Sequence, residues 1–198
     1  MKSQIIHLGT AYVHYKMPSF HILIATIGRS SLQQMLDSVL PFITESDHVT
    51  VVFDGVEPTA LKTESRGHVH IRHEPVALGF WGHGVRMAYA SRLEKTDFVM
   101  HADDDDVYAP DSFDALREQC LDPNTLYIAR VYNTTRKTFV PSYPQIVNTN
   151  ISTQCGIIPY ELNIKGIWGF WYGGDFTFYD SIQTFAPVVF LDTVIYFY

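Results

Sequence analysis

The stretch that decides the reading of this chain runs Phe98-Val99-Met100-His101-Ala102-Asp103-Asp104-Asp105-Asp106-Val107-Tyr108-Ala109-Pro110. An apolar run gives way to four consecutive aspartates and then a proline, so the acidic group sits where a buried strand ends and a helix begins. Two unit charges about 4 Å apart repel by roughly 4 kcal/mol at an effective dielectric near 20. Four carboxylates in one turn therefore call for a cation, and hard oxygen ligands favour magnesium or manganese. Without context a solvated acidic loop explains such a run as well. The neighbouring elements shift the balance toward a metal and diphosphate site.

Upstream, Phe20-His21-Ile22-Leu23-Ile24-Ala25 is a short apolar run ending at Thr26-Ile27-Gly28-Arg29, the pattern of a buried parallel strand feeding a turn. Ser30 or Ser31 is placed to cap a helix in which Leu32, Met35, Leu36, Val39 and Leu40 share one face before Pro41. A second strand, Val49 to Phe53, closes at Asp54-Gly55, and a third runs through His68 to Arg72. The alternation predicts a helix between these two. Gly79 to Leu93 reads as a further helix, weakened in its first turn by Gly82 and Gly84, and another helix follows Pro110 with Phe113, Leu116 and Cys120 on one face. Beyond it the pattern predicts strands at Tyr127 to Val131, Val188 to Leu191 and Val194 to Phe197, and a helix from Asp175 to Phe185. Repeated strand-helix units imply an α/β fold with an open, mostly parallel central sheet and helices on both faces.

The 198 residues suit one domain, 1–198, with residues 1–18 as an extension, or one module of a longer polypeptide. Apolar residues make up 46% and charged residues 18%, which is globular composition. A net charge of -7 argues against a nucleic-acid partner, because binding a phosphate backbone depends on Lys and Arg. Cys120 and Cys155 stand far apart and outside any Cys-x-x-Cys spacing, which points to free thiols and a reducing compartment. No stretch has the length and apolarity of a membrane span, so a cytoplasmic protein is expected.

In an open parallel sheet the ligand crevice lies beyond the carboxyl ends of the strands. Asp54, the aspartate run and Arg29 all occupy such ends, so they are expected on one rim, with Gly28 admitting a close approach of ligand to backbone. Trp168, Phe170, Trp171 and Tyr172 precede Gly173-Gly174-Asp175, and an aromatic wall beside a carboxylate suits a sugar ring. Core packing explains aromatic runs more often, but four rings within five positions cannot all point inward from one element. His68 and His70, two apart, share one strand face as a conceivable metal pair, solvent-facing histidines being the simpler explanation. Arg130, Arg136 and Lys137 flank a loop able to close over a diphosphate, although exposed cations are common on any surface.

Taken in order, Ala25 to Arg29, Val51 to Gly55, Gly79 to Ala90, Asp103-Asp104-Asp105 and Gly173-Gly174-Asp175 with Phe190 to Tyr196 resemble a GT-A fold glycosyltransferase related to the inverting family 2. Phe20 to Arg29 and the short length are similar to the form encoded by large algal DNA viruses, which implies a host cytoplasm. The resemblance implies a UDP-sugar donor, a glycan or glycoprotein acceptor and Mn2+ or Mg2+. It assigns donor-nucleotide contacts to Thr26, Arg29, Asp54, Arg86, Asp103 and Asp104, with Asp54 at the uracil. It further implies metal ligation by Asp105 with Asp103, a general base at Asp175, and acceptor contacts from Trp168, Trp171 and Tyr172. Gly174-Asp175 stands where the family more often has Glu-Asp. No histidine follows His101 to complete a metal shell, so water or diphosphate must do so. The Gln-x-x-Arg-Trp motif of processive synthases is missing, which favours transfer of a single sugar. Two alternatives compete. A sugar-nucleotide pyrophosphorylase needs a longer, glycine-rich basic loop than Thr26 to Ser31. A non-catalytic carbohydrate or metal-binding module of the EF-hand type would want a glycine near Tyr108 and a glutamate near Asp114.

Overall fold

Every residue from Phe20 to Thr26 is buried, as a strand covered on both faces requires, and the sheet is assembled around this segment. The computed structural model describes residues 4–8 and 11–198. In chain order the elements are β1 (Gln4–Leu8), β2 (Ala11–Tyr15), β3 (Phe20–Thr26), α1 (Leu32–Val39), β4 (His48–Asp54), β5 (His68–Glu74), α2 (His83–Tyr89) and β6 (Phe98–Asp103). There follow β7 (Val107–Tyr108), α3 (Ser112–Gln119), β8 (Leu126–Asn133), β9 (Thr138–Val140), β10 (Gly156–Pro159), α4 (Tyr160–Lys165), α5 (Gly174–Ile182) and β11 (Val188–Phe197). The main sheet has the order β5-β4-β3-β6-β10-β8-β11-β7, with β9 paired to β8, and β1 and β2 form a separate antiparallel pair within the expected extension. Strands β5, β4, β3, β6, β8 and β11 run one way, and β10, β7 and β9 the other.

Helix α1 buries Leu32, Met35, Leu36 and Val39 in a cluster with Phe20, Ile22 and Ile24 of β3 and with Phe113 and Leu116 of α3. Alternate residues Leu23 and Ala25 face the opposite way and pack with Val85 and Tyr89 of α2. That face also receives α5, whose Phe178 meets the His101 ring edge-on at 5.7 Å. A buried ion pair between Asp47 and Arg117 ties α3 to the start of β4, and Asp47 also accepts the Phe20 amide at 2.8 Å.

Four expectations change. Ser31 occupies the N-cap position of α1 without a side-chain cap bond. Residues 55–67 form no helix, because few of them have apolar side chains to bury against the sheet. The two carboxy-terminal strands are one long strand, β11, whose register against β8 shifts between Phe190 and Val194 and again before Tyr196, so the polar Asp192-Thr193 pair is a bulge and not a break. Helix α2 starts at His83 and not at Gly79, since Gly79, Phe80, Trp81 and Gly82 all have positive φ, of 69°, 56°, 54° and 81°. Among the described residues no helix is long and apolar enough to cross a membrane.

His21, the second residue of β3, is buried between the Glu94 carbonyl at 2.9 Å and the Thr50 hydroxyl at 2.8 Å. Burial, opposed by the Glu94 bond and aided by His48 and His70, pushes its pKa down to about 4. Below pH 6.5 the unfolded chain takes up a proton that the folded protein refuses until about pH 4, so stability falls as pH drops through this window. Wild type should therefore lose about 1–2 kcal/mol more than His21→Gln between pH 6.5 and 5, read from urea unfolding. Parallel pH profiles would contradict a buried neutral imidazole.

Candidate active site

The parallel register sets Ala25 opposite Asp103 and Thr26 opposite Phe53, so the ends of β3, β4 and β6 deliver Thr26, Asp54 and the aspartate run to one rim. Asp104 is buried, with one oxygen accepting from the Thr26 hydroxyl at 2.5 Å and the other from Arg29 at 2.6 Å. Arg29 also reaches Asp105, at 3.0 Å, and Gly28, with φ of 79°, turns the chain so that its amide meets the Thr26 hydroxyl. Asp54 spends both oxygens on backbone, accepting from the amides of Leu78 and Gly79 at 2.6 and 2.8 Å, and so anchors the left-handed turn.

Arg86, on α2, has no exposed surface. Its guanidinium pairs with Asp103 Oδ1, donates to the Trp81 and Ala102 carbonyls, and lies 5.4 Å from the Trp168 ring centroid. The other Asp103 oxygen accepts from Gln154 at 2.6 Å, and Tyr196 Oη brackets the Asp103 backbone at 3.0 and 3.2 Å. His83, the first residue of α2, bonds the Gly169 carbonyl at 2.9 Å, and burial beside Arg86 lowers its pKa.

Asp175 lies in the first turn of α5 and accepts from the Phe176 amide at 2.7 Å. Burial raises its pKa, and both Arg86 and Asp103 lie near enough to act on its charge. Trp168 departs from its expected place. It is 2% exposed, stacked on Phe178 at 4.4 Å and on His83 at 5.1 Å, and is therefore core and not a wall for an acceptor. Trp171 and Tyr172 do reach solvent, at 46% and 82% exposure. Arg130 pairs with Asp192 at 2.8 Å, and Arg136 and Lys137 occupy an exposed turn between β8 and β9. Gln154 and Trp81 escaped sequence reading: Gln154 lies in an irregular stretch with no motif, and the only signal for Trp81 was its placement between two glycines.

No family model matches the sequence, and no curated protein matches it either. Solved structures do resemble the fold. TarS of S. aureus in complex with UDP-GlcNAc superposes with a TM-score of 0.68 at 13% identity, covering 91% of this chain and 58% of that one. The mannosyltransferase PcManGT of Pyrobaculum calidifontis, in complex with GDP-Man and Mn2+, gives a TM-score of 0.64 at 15% identity, covering 92% of this chain and 57% of that one. The fold is GT-A. At these identities the likeness concerns architecture, and this chain spans less than two thirds of either neighbour's length.

Within this GT-A rim the donor chemistry suits a hard divalent cation. Asp105 is half exposed and shares only Arg29, while Asp106 has no hydrogen-bond partner among the described residues. Burial, then Asp103 and Asp105, push the Asp106 pKa up to about 8, so a cation there would relieve crowded charge. Asp103 has both oxygens engaged, and no group of three or more His, Cys, Asp or Glu among the described residues is arranged to hold a metal. Asp105 and Asp106 would thus need oxygens of a bound diphosphate to complete a shell. Of the strand histidines, His70 is engaged with His48. His48 Nδ1 and His70 Nε2 are 3.2 Å apart with rings 8° from coplanar, and the 5.5 Å centroid separation makes this a head-on hydrogen bond with no place for an ion between.

The left-handed turn is held by contacts that single glycine substitutions can weigh. A Cβ on Gly82 would stand 2.7 Å from Arg86 Nη1 and 2.8 Å from Ala25 Cβ, whereas one on Gly79 would meet nothing within 4 Å. Gly79→Ala should cost about 1–2 kcal/mol, the backbone penalty alone, and Gly82→Ala about 2–5 kcal/mol, the same penalty plus overpacking. Denaturant unfolding of both variants checks this, and equal losses would contradict the packing of the turn on Arg86.

Proposed function

We propose that this chain is a metal-dependent glycosyltransferase that moves a single sugar from a UDP-sugar donor to a hydroxyl of a glycan or glycoprotein acceptor. One observation carries the reading: a rim at the ends of β3, β4 and β6 crowds four aspartates against Arg29 and Arg86, within electrostatic reach of a separate half-buried carboxylate, Asp175. The GT-A fold and neighbours bound to UDP-GlcNAc and to GDP-Man with Mn2+ support it.

In this reading Asp54 and Thr26 line the nucleotide end, Asp54 offering its remaining lone pairs to the uracil. Arg29 and Asp104 form the floor beneath the diphosphate. Asp103, held square by Arg86 and Gln154, faces the ribose and sugar. Asp105, with Asp106 beside it and Asp103 behind, would hold Mn2+ or Mg2+, which when bound offsets negative charge on the departing diphosphate. The acceptor oxygen forms a bond to the anomeric carbon as the bond from that carbon to the β-phosphate oxygen breaks. The hydroxyl proton passes to Asp175, and UDP leaves with the electron pair. A carboxylate whose pKa is raised by burial is a better proton acceptor than a solvated one, which suits Asp175 to this role. Fixed charges aimed at the leaving group need no reorganisation during the reaction, so Arg29 stabilises the transition state from a preset position.

Release of UDP from UDP-glucose, UDP-galactose and UDP-N-acetylglucosamine tests the reading. Asp105→Ala should abolish release, and Asp175→Asn should slow it by about 10²- to 10⁴-fold while UDP still binds. Undiminished turnover in Asp105→Ala would remove the metal assignment, and wild-type rates in Asp175→Asn would remove the base.

A further inference from the structure

Two loops that precede helix N-termini meet beside the rim and leave an unusual amount of aromatic surface in water. From the left-handed turn before α2 come Phe80 and Trp81, the latter 65% exposed; from the loop before α5 come Phe170, Trp171 and Tyr172. Phe80 packs on Phe170 at 4.7 Å, and Trp81 meets Tyr172 at 5.9 Å with rings 86° apart, forming an open corner. The Trp171 indole donates to Thr177 of α5 at 3.0 Å.

Phe80 and Trp81 hold positive φ, a conformation that costs about 1–2 kcal/mol per residue and is retained where surrounding contacts enforce it. Here Arg86 enforces it by donating to the Trp81 carbonyl at 2.9 Å, and the same guanidinium pairs with Asp103. The Trp81 backbone is thus held in place, its indole is exposed, and the residue is tied through one side chain to the aspartate at the rim. Tyr172, the other wall, lies three residues before Asp175. An exposed aromatic cluster of this kind marks an interaction site, and its tie through Arg86 to Asp103, together with the placement of Tyr172 in the loop that leads into Asp175, favours the molecule that supplies the hydroxyl.

We propose that Trp81 and Tyr172 form a carbohydrate subsite in which one pyranose ring of the acceptor stacks on the Trp81 indole, making Trp81 a specificity-determining residue. This rests on the glycosyltransferase reading and names the acceptor as a sugar. The negative π face of the indole attracts the weakly positive axial C–H groups of a pyranose, and the perpendicular Tyr172 ring limits the corner to about one ring.

Saturation-transfer NMR with methyl β-glucoside, β-galactoside, β-xyloside and α-mannoside, each in the presence of UDP and Mg2+, provides the test, alongside calorimetry of UDP alone. At least one glycoside should bind wild type through its ring protons. Trp81→Ala should weaken it about tenfold, equivalent to about 1.4 kcal/mol, and Trp81→Phe should keep most of the affinity. Trp81 is exposed and its backbone is held through the carbonyl, so both variants should fold. Glycoside binding untouched by Trp81→Ala, or absent while UDP binds, overturns the subsite and leaves the transferase reading standing. A wild-type dimer, seen by sedimentation and dissociated by Trp81→Ala, also overturns it by making the corner a self-association surface. Absence of UDP binding removes the transferase reading and the subsite together.

Discussion

A guanidinium without access to water governs this molecule. Burying an unpaired charge is prohibitive, so Arg86 must find its counter-charge and hydrogen-bond acceptors inside the protein. It takes Asp103 from β6, the Ala102 carbonyl beside it, the Trp81 carbonyl from the left-handed turn and the face of Trp168 from the loop before α5. Three segments, β6, the turn before α2 and the loop before α5, are thereby held to one point. Trp168, stacked between His83 and Phe178, and Asp103 both lie against this cation.

Around that point the four aspartates are not equivalent. Asp103 is neutralised by Arg86 and steadied by Gln154, and Asp104 is satisfied by Thr26 and Arg29. Asp105 keeps an exposed oxygen, and Asp106 is partly buried among like charges, which raises its pKa toward neutrality. Two of the four thus build the wall, and the other two, both with raised pKa, are the ones a cation would draw into the charged form. That division suits the rim to a ligand bringing a cation with it. Asp54 plays a related architectural part, since its bonds to the Leu78 and Gly79 amides set where the turn carrying Trp81 begins.

Where the sequence was readable, a single local rule dominated. Strands β3, β4 and β6 are mainly apolar runs, interrupted only by His21, His48, Thr50 and His101 before their polar carboxyl ends, and α1 has a clean apolar stripe ended by Pro41, so sheet, helix and rim followed. Legibility failed where tertiary contacts overrode local preference. Gly79 to Gly82 continues into a helical pattern, and the bonds of Asp54 to the Leu78 and Gly79 amides and of Arg86 to the Trp81 carbonyl hold four left-handed residues in succession instead. Composition could not say which of Trp168, Phe170, Trp171 and Tyr172 points inward; the stacking of Trp168 between His83 and Phe178 decides it. Gln154 carries no signal at all, being defined only by the aspartate it meets across 51 residues.

In the proposed function the rim's carboxylates hold a nucleotide diphosphate through a shared divalent ion. Calorimetric titration of UDP into the protein with and without MnCl2 addresses this most directly. Binding should tighten by at least about tenfold when the metal is present, a difference of about 1.4 kcal/mol. Equal affinity with and without manganese, or no affinity for UDP in either case, would contradict it.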